Sequence, residues 1–301
     1  MAAVMTSVAI AACNEEAVIA RCLGALTADA RPGELEIAVA ANGCTDGTAQ
    51  IAQTFPFVKV VELATAGKAH ALNAADQILT SFPRVYLDAD IELSTAQVRR
   101  LCEVLSHAGT GSGALVAVPG RVVNVKGRPL LVRAYYAINR HHPAFEQALF
   151  GRGVIVLSEA ARRRFTDFPH VIADDLFLDS LFGATERARV ESVAVSIESP
   201  RRTSDLVRRL VRVRRGNAEL RRAPDSVSTC AVRPMRATDW MTRVVARRPA
   251  LIPAGAVYLI LTLFAEGVAR FGRHLSWGQD LSTRVQASKG SLPASRAEEN
   301  V

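Results

Sequence analysis

Arg84-Val85-Tyr86-Leu87-Asp88-Ala89-Asp90 decides how this chain is read. Val85-Tyr86-Leu87 is an apolar run of strand type, and it spills into two carboxylates one residue apart. On an extended chain, side chains i and i+2 point to the same side. Asp88 and Asp90 are therefore placed to aim two carboxylates at one hard cation. Mg²⁺ and Mn²⁺ are typically held by one or two carboxylates, with substrate phosphates filling other positions. The plainer reading of an isolated Asp-x-Asp is a polar turn after a strand, since Asp is common in turns. The surrounding segments favour the metal.

Upstream, strand and helix patterns alternate. Ser7 to Ala12 reads as a strand, and Asn14 to Leu26 as a helix with a capping residue and apolar Val18, Ile19, Cys22, Leu23 and Leu26 at helical spacing. Leu35 to Ala41 is a second strand ending at Asn42-Gly43, and Thr45-Asp46 opens a helix through Phe55. Val58 to Leu63 is a third strand, and Gly67-Lys68 opens a helix through Thr80 before the fourth strand, Arg84 to Asp88. Such alternation implies right-handed βαβ units and a mainly parallel sheet. Parallel sheets bind ligands at the carboxyl ends of their strands. The polar strand ends Asn14-Glu15, Asn42, Gly67-Lys68 and Asp88-Asp90 should then converge along one edge.

Downstream, Gly109 to Gly113 reads as a loop, Ala114 to Pro119 as a strand and Arg133 to Phe150 as a helix carrying His141-His142. Adjacent residues diverge on a helix, so the two His are not expected to share a ligand. Val154 to Leu157 and Val190 to Ile197 are further strands, and Ala173-Asp174-Asp175 precedes an apolar helix from Leu176 to Phe182. Ala250 to Ala265 is uncharged and apolar, with arginines at 243, 247, 248, 270 and 273 around it. As a helix those residues reach only ~24 Å, short of a ~30 Å hydrocarbon core, and Pro253 and Gly255 weaken it. A helix lying in a membrane interface is the expectation, against a buried helix or an oligomer contact. From Arg284 onward the chain reads as disordered.

Composition sets bounds on function. With 301 residues there is room for one large domain or two ordinary ones. The first residues lack a basic n-region, so no secretory signal is expected. Five scattered cysteines with no Cys-x-x-Cys pair suggest reduced thiols in a cytoplasmic setting rather than disulfides or zinc. The net charge of +8 is concentrated between Arg201 and Arg222, where only Asp205 and Glu219 are acidic. That run has no aromatic interleaving, so phosphates or an anionic membrane surface are expected there, and no nucleic acid.

Taken in order, six segments between Val4 and Arg222 resemble the inverting nucleotide-sugar glycosyltransferases of family 2, which carry the GT-A fold. They are Ala11-Ala12-Cys13-Asn14-Glu15-Glu16, Ala41-Asn42-Gly43-Cys44-Thr45-Asp46-Gly47-Thr48, Gly67-Lys68-Ala69-His70-Ala71-Leu72-Asn73, Leu87-Asp88-Ala89-Asp90, Ala173-Asp174-Asp175 and the arginine cluster. None is specific alone; their order and spacing carry the likeness. It implies an α/β GT-A domain over 1–222, with a nucleotide-sugar half near 1–120 and an acceptor half over 121–222. A helical, membrane-associating extension would follow over 223–275, and a flexible tail over 276–301.

The resemblance also implies roles. Asp88 and Asp90 would hold Mn²⁺ or Mg²⁺ against the diphosphate of a UDP- or GDP-linked sugar. Lys68, at a glycine turn opening a helix, would add a cation beside the phosphates. Ala12, Asn14, Glu15 and Asn42 would contact base and ribose. The family often has Asp where this chain has Asn42. Asn42-Gly43 also reads as a plain turn, and Asn14 as a helix cap. Asp175, following Asp174, stands where the family places the base that takes the acceptor proton, although Asp174-Asp175 also suits a helix cap. Processive members carry Gln-x-x-Arg-Trp where this chain has Arg209-Leu210-Val211-Arg212-Val213. Arg212 keeps the cation, and the missing Trp points to single-sugar transfer onto a small-molecule or lipid-linked acceptor rather than polymerisation. The enzyme would work in the cytoplasm, peripheral at the inner face of the cell membrane. The alternatives are a catalytically silent GT-A module that binds a nucleotide sugar or a partner, and a nucleotidylyltransferase. The latter normally needs a glycine-rich phosphate loop after the first strand, which Ala11-Ala12-Cys13-Asn14-Glu15 is not.

Overall fold

A computed structural model describes residues 5–106, 113–146, 148–170, 174–222 and 240–271. Most of the expected Gly109–Gly113 loop, Ala173, part of the expected extension and the tail over 276–301 lie outside these residues. Strands β1 (Thr6–Ala12), β2 (Leu35–Asn42), β3 (Val58–Leu63) and β4 (Arg84–Asp88) run parallel. The helices α1 (Ile19–Thr27), α2 (Thr48–Gln53) and α3 (Lys68–Ile78) connect them. After α4 (Thr95–Ser106) come β5 (Val116–Asn124), β6 (Val154–Leu157) and β7 (Arg187–Glu198). The sheet order is β3-β2-β1-β4-β6-β5-β7, and only β6 runs against its neighbours. This is the mainly parallel GT-A arrangement. Register places Ala11 of β1 beside Asp88 of β4, so the strand-end motifs share one edge.

Alternation along the strands builds two cores. Val8, Ile10, Ile37, Val39, Val85 and Leu87 face one side, against Ile19, Leu23 and Leu26 of α1 and Val98 and Leu101 of α4. Ala9, Ala38, Ala40 and Tyr86 face the other. The small side chains there let Ala71, Leu72 and Ala75 of α3 pack close to the sheet. A third cluster joins α5 (Leu130–Asn139), α8 (Thr203–Arg222) and α9 (Ile252–Phe271) through Val132, Tyr135, Leu206, Leu210, Trp240, Tyr258 and Leu261. Short helices α6 (Glu159–Arg162) and α7 (Asp174–Ser180) complete the α-helices among the described residues.

Several element boundaries differ from the sequence expectation, each for a local reason. Helix α1 begins at Ile19 because Asn14 is left-handed, with φ 54°, and its Oδ1 accepts from Thr45 N–H at 2.8 Å instead of capping. Helix α2 begins at Thr48, whose N–H donates to Asp46 Oδ1 at 3.1 Å. Strand β5 runs past Pro119 to Asn124. Proline offers no N–H to the ladder, and the pairing with β7 shifts register between Pro119 and Gly120, then resumes. The helix expected from Arg133 to Phe150 stops at Asn139, and Pro143 opens a separate 3₁₀ turn capped by His142.

The largest correction concerns the apolar tail. The helical run is Pro249–Phe271, 23 residues, or ~35 Å, so it is long enough to span, contrary to the expectation from sixteen residues. Pro253 lies in the first turn of α9, where a missing N–H costs nothing. Gly255 admits Trp240, whose Cζ3 lies 3.3 Å from where a Cβ would stand. Both residues expected to weaken the helix are thus accommodated.

Candidate active site

Along the carboxyl edge of the sheet lies a cavity of about 460 Å³. Its walls include Cys13, Glu15, Asn42 and Lys68 from the first three strand ends, and Asp88 and Asp90 from the fourth. It is also lined by Asp174 and Asp175, Arg121 from β5, Asn139 from α5, and Arg209 and Arg212 from α8. These distant segments meet here because parallel strands end together and α5, α7 and α8 close the open side.

Lys68 sits at the centre. Its Nζ lies 2.8 Å from Asp88 Oδ1 and 3.0 Å from Asp174 Oδ2. Burial opposes its charge, but the two carboxylates outweigh it and hold the lysine well above its ordinary range. Burial likewise opposes the charge on Asp88. Lys68, with Arg209 and Arg212 behind it, prevails and keeps that carboxyl below its usual range. Asp88 is thus an anion at neutral pH, available to a cation.

Asp175 behaves oppositely. Its Oδ2 accepts from Gly151 N–H at 3.0 Å and its Oδ1 from Leu176 N–H at 2.8 Å. Burial and the neighbouring Asp174 push it up to about 6, against the opposing pull of Lys68 and the Gly151 hydrogen bond. A carboxyl with its proton affinity near neutral pH suits proton transfer.

Other sequence-selected residues brace the walls. Asn42 is buried, and its amide is spent on backbone: Nδ2 donates to Ala12 O at 2.8 Å, and Oδ1 accepts from Gly67 N–H at 2.9 Å. It therefore ties β1, β2 and the turn before Lys68 together. Ala12 is fully buried and supplies that carbonyl. Asn14 bonds the 42–48 loop through Thr45, and Glu15 joins it by donating its backbone N–H to Thr48 Oγ1 at 2.8 Å.

Asp88 and Asp90 both line the cavity, and Asp90 is solvent-exposed. Hard oxygen donors, two in number, with Asp88 held ionised, fit Mg²⁺ or Mn²⁺ and leave coordination positions for phosphate and water. Among the described residues no group of three or more His, Cys, Asp or Glu side chains converges in ligand geometry. A closed, all-protein metal cage of that kind is not what the donor set offers.

Sequence reading gave no role to Arg121 or to the paired glycines at 151 and 153, and named Arg209 only as part of the arginine cluster. The signal for the glycines was present in Gly151-Arg152-Gly153. Both are left-handed, with φ 70° and 68°. A Cβ on Gly153 would lie 2.6 Å from Ile91 Cγ1 and 3.1 Å from Asp88 Oδ2, and the Gly153 carbonyl accepts from Asp88 N–H at 2.8 Å. Between them Arg152 is buried, donating to the carbonyls of Phe145, Ala148 and Pro119. Gly153→Ala should lower stability by about 1–3 kcal/mol, read as a reduced Tm. An unchanged Tm would show that Ile91 yields freely.

The family model described as Glycosyl transferase family 2 matches residues 7–157, half of the chain. No curated protein matches it. Among solved structures, the mannosyltransferase PcManGT from Pyrobaculum calidifontis, in complex with GDP-Man and Mn²⁺, is similar at TM-score 0.54 and 19% identity, over 90% of this chain and 76% of that one. Glucosyl-3-phosphoglycerate synthase from Mycobacterium tuberculosis, with Mn²⁺, UDP and glucosyl-3-phosphoglycerate, gives 0.52 and 19% over 75% and 81%. TarS 1–349 from S. aureus gives 0.50 and 16% over 90% and 93%. At these identities the structures establish the fold, and the family match establishes the rest: the chain belongs to glycosyl transferase family 2 and is a glycosyltransferase.

Proposed function

We propose that the protein moves a single sugar from a UDP- or GDP-linked donor to an acceptor hydroxyl with inversion at the anomeric carbon, in a divalent-metal-dependent reaction. The observation that carries this reading is Asp175, held by Gly151 in the same cavity as Lys68, Asp88 and Asp90 and pushed up to about 6. As the acceptor oxygen bonds to the sugar carbon, its proton passes to Asp175 while the bond from that carbon to the diphosphate breaks. Lys68 and Arg212 face the charge that gathers on the leaving group. Asp88 and Asp90 would hold the metal, which when bound supplies Lewis-acid neutralisation of that charge. Solved relatives in complex with UDP, UDP-GlcNAc and GDP-Man support a nucleotide-sugar donor. A screen of nucleotide sugars for an Mn²⁺-dependent rise in Tm tests the donor. Proton NMR of the first product bond tests the stereochemistry, and retained configuration would overturn the inverting reading.

We also infer that α9 rests on the inner face of the cell membrane, which suits a lipid-linked acceptor. Its inner face, with Tyr258, Leu261 and Ala265, is covered by α5 and α8. Its outer face leaves Ile252, Leu259, Ile260, Leu263 and Phe264 exposed at helical spacing. Arg243, Arg247, Arg248 and Arg270 are exposed about it, which suits anionic lipid better than a second, equally cationic copy. Spanning is disfavoured because Arg214 of α8 pairs with Glu266 of α9 at 2.7 Å, so insertion would draw charged α8 into hydrocarbon. The protein should sediment with anionic vesicles at low salt and be released by high salt. Ile260→Ser with Phe264→Ser should weaken that binding and spare the nucleotide-induced Tm rise. Failure to sediment with anionic vesicles at low salt would remove the assignment.

A further inference from the structure

Beyond Asp175 the cavity wall is cationic. Arg121 comes from the part of β5 that follows the register shift, so its side chain enters the cavity beside Phe145 and Asn139. Its guanidinium carbon stacks 3.3 Å from the centroid of the Phe145 ring. Its Nη2 donates to Asn139 O and Oδ1, each at 3.1 Å. Nε and Nη1 have no hydrogen-bond partner, and Arg121 makes no ion pair, among the described residues. Burial, then Arg152, then Arg209 lower the guanidinium to about 10. Glu198, a carboxylate that also lines this cavity, is already held by Arg128 at 2.5 Å and Asn124 at 2.7 Å.

A guanidinium half out of water, facing a cavity and crowded by like charges, lacks the anion that would offset its desolvation. Its location says which substrate would bring one. Arg121 Nη1 lies 3.6 Å from where a Cβ on Gly151 would stand, and the Gly151 N–H holds Asp175. The guanidinium therefore lies beside Gly151, the residue whose N–H holds the proposed base.

We propose that Arg121, oriented by Phe145 and Asn139 and assisted by Arg209, forms an oxyanion subsite for a phosphate or carboxylate group carried by the acceptor. The assignment to the acceptor rests on the glycosyltransfer reading, and the anion on the contacts and charge around Arg121. The planar fork of an arginine matches either group with two parallel hydrogen bonds, and the ring beneath it fixes the plane. Seating the anion there would bring a neighbouring hydroxyl to Asp175, so selection would act on acceptors that pair the two groups.

Inorganic phosphate and acetate serve as probes, titrated calorimetrically into the whole protein with and without saturating nucleotide and Mg²⁺. Phosphate should still bind when the nucleotide occupies the donor site. Arg121→Gln should weaken that phosphate binding by about tenfold or more, the worth of a charged hydrogen bond, while the nucleotide still raises Tm. Arg121→Lys should recover part of the phosphate affinity, and it gives the comparison if Arg121→Gln fails to fold. Acetate binding with the same dependence would assign the subsite to carboxylates as well as phosphates. The proposal is overturned by no phosphate binding to the nucleotide-loaded parent protein, or by equal binding in Arg121→Gln. Loss of nucleotide binding in Arg121→Gln, in a protein that still melts cooperatively, would instead place Arg121 on the donor phosphates and also overturns it. If no nucleotide binds the parent, the donor reading fails, and the unloaded titration still reads the subsite.

Discussion

Asp175→Asn should leave nucleotide affinity nearly unchanged and reduce transfer by ~10²-fold or more, the typical worth of a positioned base. Asparagine keeps the shape, and its Oδ1 can still accept from Gly151 N–H, so the loop carrying Gly151 should stay in place. What disappears is the oxygen that takes the proton. The pH profile provides a second reading. With Asp175 pushed up to about 6, parent turnover should fall as pH drops through that value, because the protonated carboxyl cannot act as base. The residual rate of the variant should lack that limb. Stability supplies a third, with the opposite sense. An acid whose pKa rises on folding contributes stability below its unfolded value and loses it as pH climbs through the folded one. The variant escapes that loss, so it should melt above the parent at pH 8 and level with it near pH 4. Equal turnover in parent and variant would move the base to Asp174 or elsewhere.

The parallel half of the fold was legible because each of its signals is local. β3 and β4 begin and end where the sequence reading places them, at Val58–Leu63 and Arg84–Asp88, because each is bounded by turn residues. Boundaries failed where tertiary bonds compete with capping, as at Asn14, whose side chain is claimed by Thr45 thirty-one residues away. The site divides in the same way. Strand-end residues such as Lys68, Asp88 and Asp90 announce themselves by position. Arg121 does not, because only the resumption of β5 after Pro119 carries it to the cavity, and a proline in a strand run reads as an end. Asn42 was legible as a residue of interest, and the structure spends its amide on Ala12 and Gly67, a bracing that no periodicity reveals.

Asp90→Ala should reduce Mn²⁺-dependent nucleotide binding by about 100-fold or more, since even the groups behind a metal ligand are worth roughly 10- to 100-fold. Asp90 is the cleaner of two tests because its side chain is exposed, so the fold should survive its loss. Asp88→Ala should have as large an effect, but it also releases Lys68 from a 2.8 Å contact, leaving that lysine to Asp174 alone. The two substitutions can be separated from simple damage by chelator. With EDTA present, a carboxylate beside the diphosphate position only repels it, so removing Asp88 or Asp90 should leave binding equal to the parent's or tighter. The same substitution would then weaken binding in Mn²⁺ and spare or strengthen it in EDTA, a crossing that a misfolded protein cannot produce. Parallel losses in both conditions would mean the carboxylates support the walls of the cavity rather than a cation. Unchanged binding in Mn²⁺ for both variants would mean that the pair at the end of β4, from which the reading of this chain began, is an ordinary polar turn.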